Sequence, residues 1–185
     1  VEAALDAQGI AYVHEATVEP NPLTTTVMAA GARVRAEGCD FIVALGGGSV
    51  MDAAKAIAIV STNDGHIGDY VQQGRGGRKP IANDPLPIVA ISTTAGTGSE
   101  VDGGGVITSP ETREKIGVNG HIGLFPKLAI VDPELMLTVP PHLTAYQGFD
   151  ALFHAIEGYV TKRPTYLSDM YALESVRHIA AGLAR

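Results

Sequence analysis

The chain has 185 residues, 45% hydrophobic and 18% charged, which is enough apolar material for a core and argues against wholesale disorder. At about 150 residues per domain it amounts to one domain and a piece, so a large multidomain assembly is excluded. Thirteen basic against twenty acidic residues leave a net charge of −7, and no basic run exceeds a pair, so the electrostatic drive toward nucleic acid is missing. No apolar run approaches the roughly 18 residues of a membrane span. The single cysteine, Cys39, excludes an internal disulfide and a Cys-based zinc site. A cytoplasmic protein without nucleic-acid or membrane partners is expected.

Val1 to Gln8 reads as a helix stopped by Gly9, followed by an extended segment from Ile10 to His14. Pro20-Asn21-Pro22 breaks the chain before a Thr-started helix running to about Glu37. Phe41 to Leu45 is a continuous apolar run without alternation, the pattern of a parallel strand buried on both faces. A helix follows from Ser49 to about Val60. Residues 62–85 are polar and Gly-rich, including Gly74-Arg75-Gly76-Gly77, and predict a surface loop around a short helical turn near Asp69 to Gln72. A second buried strand is expected from Leu86 to Ser92. Val106 to Thr108 and Lys115 to Val118 flank a Ser109-Pro110-Glu111-Thr112 turn and predict a hairpin. Leu128 to Asp132 is a further strand.

The strand and helix alternation implies an α/β fold with a parallel sheet and crossover helices. After Pro140-Pro141 only helical signals remain: Thr144 to Val160, then Ser168 to Ala184. In the second, Ser168 is the expected N-cap and Leu173, Val176, Ala180 and Leu183 form an apolar stripe. The expected division is therefore 1–139 as an α/β domain and 140–185 as the start of a helical one.

Three motifs carry chemistry. Gly46-Gly47-Gly48-Ser49-Val50-Met51-Asp52 lies between a buried strand and a helix. Glycines admit close backbone approach, and the free N–H groups of the helix start attract an anion, so a phosphate seat is one reading and a tight turn without ligand the other. It is neither GxGxxG nor a P-loop. Thr93-Thr94-Ala95-Gly96-Thr97-Gly98-Ser99-Glu100 follows the next strand, where open α/β sheets bind ligands, although alone it could be an ordinary loop. If the two strands are neighbours, both loops open onto one edge of the sheet and line one crevice. Asp150 and His154, at i and i+4, share a helical face and could hold a metal from two sides or form a plain surface pair. Glu157 falls near the same face. His14, His66, His121, His142 and His178 have no ligand spacing to one another and are expected in surface or capping roles.

In order, Pro20-Asn21-Pro22, Gly46-Gly47-Gly48-Ser49-x-x-Asp52-x-x-Lys55, Thr93 to Glu100, Asp132-Pro133, Pro140-Pro141 and Asp150-Ala-Leu-x-His154-Ala-x-Glu157 resemble the iron-containing (group III) alcohol dehydrogenases, over nearly the whole chain. The resemblance implies a parallel-sheet dinucleotide-binding domain, lacking its first strand, followed by the first helices of an all-helical metal-binding domain, with both ends of the chain truncated. It implies that Gly47, Gly48 and Ser49 hold the pyrophosphate of NAD or NADP, with Asp52 supporting the loop or facing the cofactor. Thr93 and Thr94 would lie along the cofactor, Asn21 would contact its adenosine part, and Lys115 would reach it. Asp150 and His154 would be two of four ligands to a divalent metal, iron(II) in preference to zinc. The implied reaction is metal-assisted hydride transfer between a primary or secondary alcohol, or the corresponding aldehyde or ketone, and NAD(P). No general base is assigned. The rival readings are a glycerol dehydrogenase-like or dehydroquinate synthase-like relative, and a nucleotide-binding fragment inactive as cut. A homo-oligomer is left open. Asp102 stands where many members carry Thr, and Gly104 where a larger polar residue is common.

Overall fold

The computed structural model describes residues 1–73 and 75–183, so the expectations for Gly74 and Ala184 lie outside the described residues. Helix α1 (Glu2–Ala7) buries none of its residues and is closed by Gly9 at φ +65°, with the Ile10 N–H donating to Leu5 O at 3.0 Å. The segment expected to be extended, Ile10 to His14, holds no strand, because it finds no ladder partner among the described residues. Helix α2 (Thr24–Glu37) ends the same way at Gly38, φ +66°, where the Cys39 N–H returns to Val34 O at 3.1 Å.

The sheet is built from strand β1 (Ile42–Gly46), strand β2 (Ile88–Ser92) and strand β5 (Leu128–Val131), in the order β1-β2-β5 and all parallel. β2 starts at Ile88 rather than Leu86 because Pro85 and Pro87 have no N–H to give a ladder. Ala44, Ala90 and Ala129 lie side by side in register, and the first two are fully buried beneath helix α3 (Gly48–Thr62). On the opposite face, Leu45 is 46% exposed and Ile130 40%. The apolar run in β1 therefore does not mean burial on both faces: α3 covers one, and the other leaves Leu45 and Ile130 open.

Helix α3 is the centre of the molecule. One side, with Met51, Ala54 and Ala58, rests on the sheet. The other, with Ala53, Ala56, Ile59 and Val60, packs against Val27 of α2, Ile67 and Tyr70 of helix α4 (Ile67–Tyr70), and Ile107 and Val118. Residues from Met51 to Val60 are buried almost without interruption, which makes α3 apolar on nearly every side, as a core helix is. Ile107 and Val118 belong to the predicted hairpin, strand β3 (Gly105–Ser109) antiparallel to strand β4 (Glu114–Val118), a separate two-stranded sheet.

Helix α5 (Pro141–Tyr159) begins at proline, whose missing N–H costs nothing in a first turn. It packs on helix α6 (Tyr166–Leu183), with the Leu183 side chain lying over Gly148. The N-cap of α6 is Thr165 and not Ser168: Thr165 Oγ1 accepts the Ser168 N–H at 3.1 Å, and Ser168 lies inside the first turn. The expected stripe on α6 is only partly covered, with Leu173 41% exposed and Ala172 the one buried residue. Among the described residues, no helix is long and apolar enough to cross a membrane.

Candidate functional site

β1 and β2 end level with each other, Gly46 beside Ser92, and the Thr93 N–H donates to Gly46 O at 3.0 Å. The two Gly-rich loops therefore leave the same edge together and touch. A Cβ on Gly47 would lie 2.8 Å from Thr94 Oγ1, and one on Gly48 2.8 Å from Thr97 Cγ2. Only glycine permits this approach.

Asn21 sits in a left-handed turn (φ +57°) over the start of α3, its N–H 3.4 Å from Ser49 Oγ. The hairpin completes this corner. The Thr108 N–H donates to Pro22 O at 2.7 Å, and Lys115 Nζ, opposite Thr108 in register, donates to Asn21 Oδ1 at 2.8 Å. Asn21, Gly48, Ser49, Asp52, Thr108 and Lys115 surround a cavity of about 200 Å³. A wider cleft of about 630 Å³ continues from it past Gly47, Thr94 and Ala95 to Tyr146, Gln147 and Asp150.

Under the cavity floor lies Lys55, fully buried in α3. Its Nζ donates to Ser99 Oγ at 2.9 Å, Asp102 Oδ1 at 2.6 Å and Gly104 O at 2.6 Å. Ser99 in turn donates to Asp52 Oδ1 at 2.7 Å, and Asp52 Oδ2 accepts the Val106 N–H at 2.8 Å. Burial pushes the Asp52 carboxyl up from its ordinary range, against the opposing pull of the Val106 N–H, the Ser99 hydroxyl and the Lys55 charge.

At the far end of the cleft, the 93–99 loop meets α5. Gly96 has φ +105°, and a Cβ there would lie 2.8 Å from both Gln147 O and Asp150 Oδ2. The Ala95 N–H donates to Gln147 Oε1 at 3.0 Å. Asp150 thus stands at the rim, its Oδ1 3.6 Å from His154 Nε2, while Glu157 Oε2 is 3.9 Å from His154 Nδ1. Among the described residues, no cluster of three or more His, Cys, Asp or Glu is arranged to hold a metal.

These residues fit a dinucleotide. The cradle at Gly47 and Gly48 would be filled by any side chain, a helix start and Lys115 face it, and two hydroxyls wait along it. Thr94 Oγ1 and Thr108 Oγ1 are buried with no hydrogen-bond partner among the described residues. A carboxylate and an imidazole on one helical face suit iron(II) or zinc, and supply half of a four-ligand set.

The structure gathers Asn21, Gly48, Ser49, Asp52 and Lys115 around one cavity, and Gly47, Thr94 and Asp150 around the adjoining cleft. Thr93 and His154 line neither. Sequence reasoning gave no role to Lys55, which closes the glycine motif, or to Asp102, noted there only as a departure, and it passed over Thr108 and Gln147 as working residues. The signal for Lys55 was available, a lone cation in the run Ala53-Ala54-Lys55-Ala56-Ile57.

The sequence profile of the iron-containing alcohol dehydrogenase family matches residues 1–133. Choline dehydrogenase of Bacillus subtilis (strain 168) is 41% identical over 182 residues, which is 98% of this chain and 44% of that protein. NAD-dependent methanol dehydrogenase of Bacillus methanolicus is 44% identical over 161 residues, 87% of this chain and 41% of that protein. The crystal structure of NADH-dependent butanol dehydrogenase A from Thermotoga maritima superposes with a TM-score of 0.89 at 34% identity, over 100% of this chain and 45% of that one. The chain thus spans less than half the length of these relatives.

Proposed function

This chain belongs to the iron-containing alcohol dehydrogenase family, and on that premise we propose that it forms the cofactor seat and half the metal shell of an NAD(P)-dependent oxidoreductase acting on small alcohols and their aldehydes or ketones. One observation carries the reading: the two glycine-lined turns meet at the carboxyl edge of the sheet, directly opposite the Asp150 helix. In the proposal, Gly47, Gly48 and Ser49 receive the pyrophosphate at the start of α3, where backbone N–H groups and the helix dipole favour negative charge. Lys115, held by Asn21, adds a cation to the same seat. Thr94 and Thr108 donate their unused hydroxyls along the cofactor. Asp52, engaged by Ser99 and Val106, braces the floor. Asp150 and His154 would hold the divalent metal, which when bound supplies a Lewis acid at the alcohol oxygen. Leu143 and Tyr146 line the cleft beside Asp150 and help exclude water from the reacting centre. We place the domain division at 1–139 and 140–185, supported by α5 packing chiefly on α6. A cytoplasmic setting belongs to the same proposal.

The test is cofactor binding to this chain. At a hundredfold excess over Kd, a ligand that binds only the folded state stabilises by about 2.7 kcal/mol. At roughly 2–4 °C per kcal/mol for a chain of this size, NADH or NADPH should raise Tm by about 5–10 °C. No rise with either at millimolar concentration overturns the cofactor seat. In the full-length protein, Asp150→Ala and His154→Ala should each abolish metal-dependent alcohol oxidation, and retained activity would refute the metal assignment.

A further inference from the structure

The buried lysine beneath the cavity has two acidic neighbours, and the difference between them matters. Lys55 Nζ spends its three donors on Ser99 Oγ, Asp102 Oδ1 and Gly104 O, all from the segment that crosses from the 93–99 loop into β3. Asp102 is the carboxylate in direct contact, at 2.6 Å, and the same oxygen accepts the Gly104 N–H at 2.9 Å. Asp52 is one bond removed, reached through Ser99, and its other oxygen is committed to Val106. A fully desolvated ammonium needs a counter-charge. With Asp102 in place, that need is met from the loop side. Without it, the remaining charged neighbour is Asp52, already linked to Lys55 through Ser99 and held on its other oxygen by the Val106 N–H, so a shift of Asp52 toward Lys55 would strain that second bond.

That shift would deform the cofactor seat. Asp52 lines the cavity beside Ser49 and Lys115, Thr97 lines both cavity and cleft and presses on Gly48, and the backbone at Gly105 lies so close to Asp52 that a Cβ there would be 3.0 Å from Asp52 Cα. The segment from Thr97 to Val106 therefore sets the spacing across the seat. We propose that Asp102 is a positioning residue for the cofactor: by neutralising Lys55 from the loop side, it keeps Asp52 on Val106 and fixes the distance between the Thr97 rim and the start of α3. Asp102 lines neither cavity, so it acts through these residues without touching the ligand. The proposal rests on the dinucleotide reading above.

Three forms of this chain test it: wild type, Asp102→Asn, and the double variant Lys55→Met with Asp102→Leu. NADH and NADPH affinity is measured by titration calorimetry, thermal stability by calorimetric melting, and the Val106 amide by hydrogen exchange. Asp102→Asn retains an acceptor but no charge, so it should bind cofactor about tenfold more weakly and lose protection at Val106, as expected for coupled members of one polar network. In the double variant the buried charge is gone with its partner, so Tm should return to near wild type. With Lys55 gone nothing draws Asp52 off Val106, so protection at Val106 and cofactor affinity should return as well. Tm that returns while Val106 protection and cofactor affinity stay low marks Asp102 as a merely structural brace and overturns the proposal, as does Asp102→Asn binding cofactor as wild type does. Wild type that binds neither cofactor overturns the dinucleotide reading itself and the proposal with it, an outcome distinct from the other two.

Discussion

Replacing Gly96 by alanine should loosen the helical hairpin from the sheet without unfolding the rest of the chain. At φ +105° an L side chain is strained by about 1–3 kcal/mol. The added Cβ would also lie 2.8 Å from Gln147 O and 2.8 Å from Asp150 Oδ2. The Asp150 carboxylate can swing aside, but the Gln147 carbonyl is fixed within α5, so the overlap costs a further ~1–3 kcal/mol unless α5 retreats. Retreat gives up little, because α5 packs chiefly on α6 and the Ala95–Gln147 bond is exposed. At 1.4 kcal/mol per tenfold, the strain of about 1–3 kcal/mol that remains when α5 retreats corresponds to a loss of roughly ten- to hundredfold in protection at the Ala95 amide. Hydrogen exchange read residue by residue measures this directly, with the Ala90 amide in β2 as the internal reference that should not change. Unchanged exchange at Ala95 would show that the loop does not seat the Asp150 helix, and the reasoning about the cleft would fail.

Two other outcomes follow from the same geometry. Asp52 holds its proton more tightly folded than unfolded, because burial raises its carboxyl above the ordinary aspartate value of 3.8. Below that value both states are protonated and Asp52 adds no pH dependence. As pH rises through the raised folded value, the folded state lags in ionising and stability is lost. Asp52→Asn should therefore gain in stability relative to wild type as pH is raised across this window, read from urea titrations of both proteins; a gain on lowering pH would contradict the assignment. Thr108→Val removes a buried hydroxyl that has no partner among the described residues, so it should stabilise the cofactor-free chain by about 1 kcal/mol while weakening NADH binding. A loss of stability in that variant would mean the hydroxyl is already satisfied.

Much of this site could be read before any coordinates, because its parts are local. Glycines after a buried strand, a helix start and an i,i+4 Asp/His pair are short-range patterns, and all appear where expected. Capping roles for histidine also hold at two positions: His66 Nδ1 accepts the Gly68 N–H and His121 Nδ1 the Gly123 N–H, both at 3.0 Å. What escaped were the partners. Lys55 meets Asp102 across 47 residues, and Ala95 meets Gln147 across 52, so neither leaves a trace in a local window. The segment from Ile10 to His14 shows the converse, since a strand-like composition makes no strand without a neighbour to pair with. The apolar run in β1 predicts burial on two faces and meets it on one for the same reason: hydrophobicity says a residue can be covered, and only topology says by what.

Lys115 reaches Asn21 from the hairpin, and not from the parallel sheet that supplies the two loops. Its direction depends on the pairing of Thr108 with Lys115, which is set by the turn through Arg113 at φ +57°. Deleting one residue from that turn would invert the ribbon's alternation and send the ammonium to the opposite side, leaving Gly47 and Gly48 untouched. In the proposed seat, the length of one small bend would thus work as a dial on how firmly an anion is gripped, one that insertion or deletion alone can turn.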